Sequence, residues 1–102
     1  MMAATDPLVF ALPARLTHEL AAGCCEAFAR TLAPAGQGIG VQVQAQALQQ
    51  FDSSALAVLL DLRRQCQARG AQWQLQGLSP KLADLAQLYG VHDWLLPPAH
   101  HH

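Results

Sequence analysis

Residues 51–70 read FDSSALAVLLDLRRQCQARG, and this is the most informative segment of the chain. Spacing its residues about 100° apart, as in a helix, gathers one apolar stripe. The members of that stripe are Ala55, Val58, Leu59, Leu62 and Cys66. The pattern predicts a helix from about Ser54 to Arg69, closed by Gly70 in a left-handed conformation. Leu56 and Leu60 fall outside the stripe, so we expect both on the exposed flank of the helix.

The segments on either side of this helix show the alternation of half-buried strands. Residues 39–46 alternate Ile, Val and Ala with Gly and Gln, and residues 71–76 alternate Ala, Trp and Leu with Gln. A sheet covered on both faces would not carry glutamine so regularly. We therefore expect helices mainly on one face of the sheet.

The remaining segments predict an alternating order of strands and helices. Leu8–Leu12 reads as a buried strand, Pro13 marks an edge or bulge, and residues 14–17 continue the extended chain. Thr17 is a candidate cap for a helix from about His18 to Ala33. Its expected inner stripe is Leu20, Cys24, Phe28 and Leu32.

A third helix begins at Ser79-Pro80, a cap residue followed by proline at the first helical position, and ends at Tyr89-Gly90. Its expected buried row is Leu82, Leu85, Ala86 and Tyr89. This order predicts a single α/β domain over residues 1–99, with a mixed, mostly parallel sheet of about three to four strands.

Composition and charge exclude several classes of function. Charged residues make up 13% of the 102 residues and the net charge is -1, so the basic surface that nucleic-acid binding needs is absent. No unbroken run of ~18 apolar residues and no signal peptide pattern occurs. We expect a cytoplasmic protein that is not inserted in the membrane and reaches the inner membrane only through a partner complex.

Metal, cofactor and catalytic patterns are also missing from the sequence. Cys24, Cys25 and Cys66 form no CxxC pair, and His100–His102 is typical of a purification tag, with a native metal-binding tail as the alternative. Gly36–Gly40 precedes a strand rather than opening a helix, so it is not a dinucleotide loop. His18-Glu19 lacks the second histidine of a zinc helix, and His92-Asp93 reads as a turn. We therefore expect no metal, no cofactor and no enzymatic activity.

The segment Phe51–Leu60 resembles the signature of STAS domains, which carry an Asp-Ser/Thr-x-Gly-Leu pattern at a strand-to-helix junction. The similarity continues through Gly70, the strand Gln72–Gln76 and Gln76–Lys81, so that it covers more than half of the chain. Within this family, Leu85-Ala86-Gln87-Leu88-Tyr89 is most similar to the MlaB-like members. Ala55 stands where the family has glycine, and its methyl group would hinder a kinase more than simple docking.

The resemblance implies two alternative partners. MlaB-like proteins dock on the ATPase subunit of a phospholipid-transport ABC complex and support its assembly and activity. Anti-sigma-factor antagonists of the same fold bind a kinase-like partner that phosphorylates the serine after the aspartate, which here is Ser53. The oligomeric state stays open.

The candidate docking site surrounds the start of the middle helix. Helix capping explains one polar residue there, because Asp and Ser oxygens accept from free backbone N–H groups. Three polar residues in a row, followed by an apolar stretch wider than one buried stripe, leave more to explain. It is mainly the family resemblance that favours capping combined with partner docking over capping alone. The predicted partner-binding residues are Asp52, Ser53, Ser54, Leu56, Ala57, Leu60 and Arg64.

Overall fold

A parallel three-stranded sheet lies at the centre of the computed structural model, which describes residues 7–35 and 38–96. In chain order the elements are β1 (Leu8–Ala11), β2 (Arg15–Leu16), α1 (His18–Leu32), β3 (Gly40–Gln44), β4 (Gln50–Phe51), α2 (Ser54–Ala68), β5 (Gln72–Gln76), α3 (Pro80–Leu88) and α4 (His92–Leu95). The central sheet has the order β1-β3-β5, and β2 pairs with β4 in a separate parallel pair. The predicted α/β class and parallel sheet are confirmed.

The strand register gives the central sheet one apolar and one polar face. Phe10, Val43 and Leu75 lie side by side across the strands, while Gln44 and Gln76 are neighbours in the alternate row. Val43 and Leu75 are buried under the helices, as the alternation of the sequence predicts. The glutamines on the other face are exposed or half-buried.

The middle helix supplies much of the hydrophobic core. Every residue of its predicted apolar stripe is buried: Ala55, Val58, Leu59, Leu62 and Cys66. These side chains share one cluster with Phe28 and Leu32 of α1 and with Leu82 and Ala86 of α3. Burial of this apolar surface is the main force that holds α1, α2 and α3 against the sheet.

The predicted ends of α2 and α3 are also confirmed. Gly70 follows α2 with a φ of 67°, a conformation that glycine adopts without a Cβ clash. The hydroxyl of Ser79 accepts a hydrogen bond from the backbone N–H of Leu82 at 3.2 Å, and Pro80 occupies the first helical position. These local signals mark the end of α2 and the start of α3.

Two predicted core positions are wrong. Leu20 is 39% exposed, because the first turns of α1 pack through Ala21 and Cys25 instead. Tyr89 is 57% exposed, because α3 ends at Leu88 and the chain leaves the helical path before it could bury the ring. Both errors lie near helix ends, where the wheel assumes more regular helix than the fold contains.

One element at the candidate site was not predicted at all. The strand β4 contains only Gln50 and Phe51, too few residues to show alternation. The tag interpretation of His100–His102 lies outside the described residues. Within residues 7–35 and 38–96, no helix is both long and apolar enough to cross a membrane.

Candidate functional site

The pairing of two short strands brings the starts of α1 and α2 together. Leu16 of β2 lies opposite Phe51 of β4, and the two strands run parallel. Parallel neighbours end at the same edge, so the helices that follow them begin side by side. Thr17 precedes α1, and Asp52 and Ser53 precede α2, so these polar residues meet at one place on the surface.

Asp52 joins the two helix starts. One carboxylate oxygen accepts a hydrogen bond from the backbone N–H of Ser54 at 2.8 Å, and the other accepts from that of His18 at 3.2 Å. These backbone donors, that of Ser54 first, hold the pKa of the Asp52 carboxyl below its usual value. The carboxylate thus satisfies a free N–H at the start of each helix and is favoured there by both helix dipoles.

Ser53 occupies the cap position of α2 without making a capping bond. Its backbone is already helical, with φ -63° and ψ -17°, so its side chain does not fold back onto the first turn. Within residues 7–35 and 38–96, no side-chain hydrogen bond engages its hydroxyl, and the residue is exposed. The capping function falls to Asp52, which leaves the hydroxyl of Ser53 open to solvent.

The exposed side of α2 extends from Ser53 along the helix. At about 100° per residue, Ser53, Ala57, Leu60 and Arg64 fall within a sector of about 60°. Ser53, Ala57 and Arg64 are exposed, and Leu60 is half-buried against the core. We call these residues the α2 stripe. It is a narrow surface of small and apolar side chains with a hydroxyl at one end and a cation at the other.

Leu56 does not belong to this surface, and the expectation that it is exposed is wrong. Its side chain is only 2% exposed and is part of the core. The physical reason is that α2 packs against three neighbours, α1, α4 and β5, which cover more of its circumference than one apolar stripe requires. Of the other predicted partner-binding residues, Ser54 and Leu60 are half-buried, and four are exposed: Asp52, Ser53, Ala57 and Arg64.

Ala55, which replaces the glycine of the family pattern, is fully buried. Its methyl group therefore adds no bulk to the outer surface at Ser53. The expectation that this methyl hinders a kinase is not supported by the position of the residue. The departure from the family pattern is absorbed inside the core.

Polar and aromatic contacts fix the two borders of the α2 stripe. On the side of α1, the amide of Gln65 donates to Asp61 at 2.8 Å and to the carbonyl of Cys25 at 3.4 Å. On the other side, the guanidinium of Arg63 lies 5.2 Å from the centroid of the Trp94 ring. These contacts hold α2 at a fixed rotation and so keep the stripe turned outward.

The start of α1 adds groups that the sequence reading did not assign to the site. Arg15 donates to Glu19 at 2.9 Å, and the hydroxyl of Thr17 also donates to Glu19. The bond from Thr17 is the main reason why the pKa of Glu19 lies below its usual value. Beside Arg15 and Glu19, Leu20 lines a shallow groove of about 360 Å³. The pairing of β2 with the unpredicted β4 places this region beside Asp52.

Neither Ser53 nor Cys25 shows the contacts of an activated nucleophile among the described residues. Among the described residues no base is hydrogen-bonded to the hydroxyl of Ser53, as activation of a serine nucleophile would require. The thiol of Cys25 has its pKa raised to about 12, first by burial and then by its contact with Asp61. A thiol that stays protonated in this way is a poor nucleophile.

Fold and site together define a small α/β domain that presents one helix face beside a strand-to-helix junction. The chain belongs to the STAS domain family, since the family model described as "Mlab, STAS domain" matches residues 11–97, which is most of the chain. STAS domains are generally non-catalytic and mediate interactions between proteins. No individual curated protein matches the chain.

Proposed function

We propose that this chain is an accessory subunit that docks on the ATPase of a phospholipid-transport ABC complex and supports its assembly and activity. The observation that carries the proposal is the α2 stripe, in which Ser53 makes no capping bond while the neighbouring Asp52 caps both helices. The match to the MlaB-type family model supports the choice of an ABC ATPase as the partner.

The stripe suits docking because a partner bound there would not replace the hydrogen bonds between α1 and α2. The side-chain hydrogen bonds that join the two helices involve Asp52, which accepts from His18, and Gln65, which donates to the carbonyl of Cys25. Neither Asp52 nor Gln65 belongs to the stripe. Ala57 allows a partner to approach the helix backbone closely, and Leu60 adds apolar area at the centre. An apolar centre with polar ends matches the usual anatomy of a protein interface.

Co-purification with the ATPase subunit encoded in the same genome tests this proposal. We expect Ser53→Glu to abolish recovery of the complex, because it places a charge inside the interface. Arg64→Ala should reduce recovery, whereas the matched change Arg30→Ala, at an exposed arginine near the end of α1, should not. Full recovery with both Ser53→Glu and Arg64→Ala would refute the site.

The exposed hydroxyl of Ser53 also favours a second function, that of an anti-sigma-factor antagonist controlled by phosphorylation. A phosphate would add about -1.5 to -2 charges at a helix start, where the dipole tolerates them. Incubation with the cognate kinase and ATP should add one phosphate, which Ser53→Ala removes and Ser54→Ala keeps. An unchanged intact mass with an active kinase would contradict this function. Neighbouring transporter genes favour the first function, and kinase and sigma-factor genes favour the second.

A further inference from the structure

The two edges of the central sheet differ in their protection against pairing. The edge strand β1 is bracketed by Pro7 and Pro13, and proline is one of the devices that block the addition of another strand. The opposite edge strand, β5, reads QWQLQ and contains neither proline nor charge. Its pairing with β3 is continuous from Gln72 to Gln76, without a bulge. The β5 edge therefore lacks the proline and the charge that protect many edge strands.

The backbone of β5 shows which groups are available at this edge. The N–H of Gln72 donates to Ile39 at 2.8 Å, and the carbonyl of Gln76 accepts from Ala45 at 2.8 Å. Residues two apart in a strand direct their backbone groups to the same side, so Trp73 and Leu75 direct theirs away from β3. Among the described residues, no backbone hydrogen bond outside the strand ladders engages these outward groups.

The sequence of this edge is complementary to itself. We propose that β5 pairs antiparallel with β5 of a second copy of this chain, about a two-fold axis at Gln74. In this register the outward groups of Trp73 exchange hydrogen bonds with those of Leu75 in the other copy. Gln74 then faces its own counterpart in the closely spaced, non-hydrogen-bonded position.

The side chains fit this pairing as well as the backbone does. Gln74 is exposed, and a glutamine amide both donates and accepts, so two copies of the same side chain can bond to each other. The apolar side chain of Leu75 remains in the core, because the pairing uses only its backbone groups. The result would be a continuous six-stranded sheet whose uncovered face is lined with glutamine.

The β5 edge is separate from the α2 stripe. Pairing through β5 and docking through the α2 stripe can therefore be tested independently. The edge is short, which makes the contact small and the dimer weak, in the class of transient interfaces below about 1,200 Å². We therefore expect association to depend on protein concentration. Sedimentation velocity should show a molar mass that rises from 11.0 kDa toward twice that value as the concentration increases.

Charge substitutions at the two-fold axis give the decisive test. Gln74→Lys and Gln74→Glu should each remain monomeric, because like charges meet at the axis, and an equimolar mixture of the two should associate again. The control is Gln42→Lys, which lies beside Gln74 on the central strand. Its charges in the two copies would be about 14 Å apart, beyond the Debye length, and should leave association intact. A wild-type monomer at high concentration, or association unaffected by Gln74→Lys, would overturn the proposal.

Discussion

The two faces of α2 differ in burial, even between neighbouring residues. Leu59 is fully buried and Leu60 is half-buried, and Leu56 is in the core while Ala57 is exposed. Side chains on the inner face form the core, whereas on the α2 stripe only Leu60 packs against it. The exposed residues of such a helix can therefore change to suit a partner while its buried residues stay the same.

The largest expected effect comes from Leu56→Asp, which tests the corrected position of this residue. A carboxylate at a site that is 2% exposed, with no partner, should cost several kcal/mol, a large part of the total stability of a small domain. We expect a thermal melt followed by circular dichroism to lack the cooperative transition of the wild type. If the Leu56→Asp chain folds and loses only partner binding, Leu56 is an interface residue and its assignment to the core is contradicted.

Truncation of the neighbouring leucines compares the two faces directly. Leu59→Ala should lower the free energy of unfolding by about 2–5 kcal/mol, because it removes a fully buried side chain. Leu60→Ala should cost about 1 kcal/mol or less, since much of its side chain is already in contact with water. Urea denaturation measures both values. Equal losses would mean that the two faces do not differ as described.

A smaller effect is expected at the junction, and it depends on pH. The pKa of Asp52 is lowered in the folded chain, so its contribution to stability is present above the unfolded value near 3.8 and is lost as the pH falls through the folded value. Asp52→Asn should therefore lower Tm at neutral pH and have no effect at strongly acidic pH. A Tm difference that persists unchanged in acid would contradict the role of this carboxylate.

The order of elements and the inner face of α2 could be predicted because they follow from periodicity over long segments. Gln50–Phe51 could not, since a two-residue strand has no pattern of its own. Because this strand was not predicted, the contact between Asp52 and His18 at the start of α1 was not predicted either. The two residues are 34 positions apart in the chain. Leu56 was misplaced because a helical wheel shows which residues are apolar but not how many neighbours surround the helix.

The sequence does not show which of Asp52 and Ser53 caps the helix, and the structure does. Both residue types are good helix caps, and composition gives no reason to prefer one. The helical backbone of Ser53 and the two bonds of Asp52 separate the capping residue from the exposed one. The same local sequence therefore contains both a structural residue and a candidate for recognition.

The smallest expected effect on stability is at Ala57, where a clear effect on binding is also expected. Ala57→Glu and its control Ala29→Glu both alter an exposed alanine within a helix, and each should change the free energy of unfolding by less than about 0.5 kcal/mol. Their effects on the partner should differ, because only Ala57 lies in the α2 stripe.

Calorimetric titration of the purified ATPase subunit with the wild type and these two variants is the most direct test. If the stripe is the docking surface, Ala57→Glu raises Kd at least about tenfold, which corresponds to about 1.4 kcal/mol, while Ala29→Glu leaves Kd unchanged. Equal Kd values for all three chains would contradict docking through this face of α2.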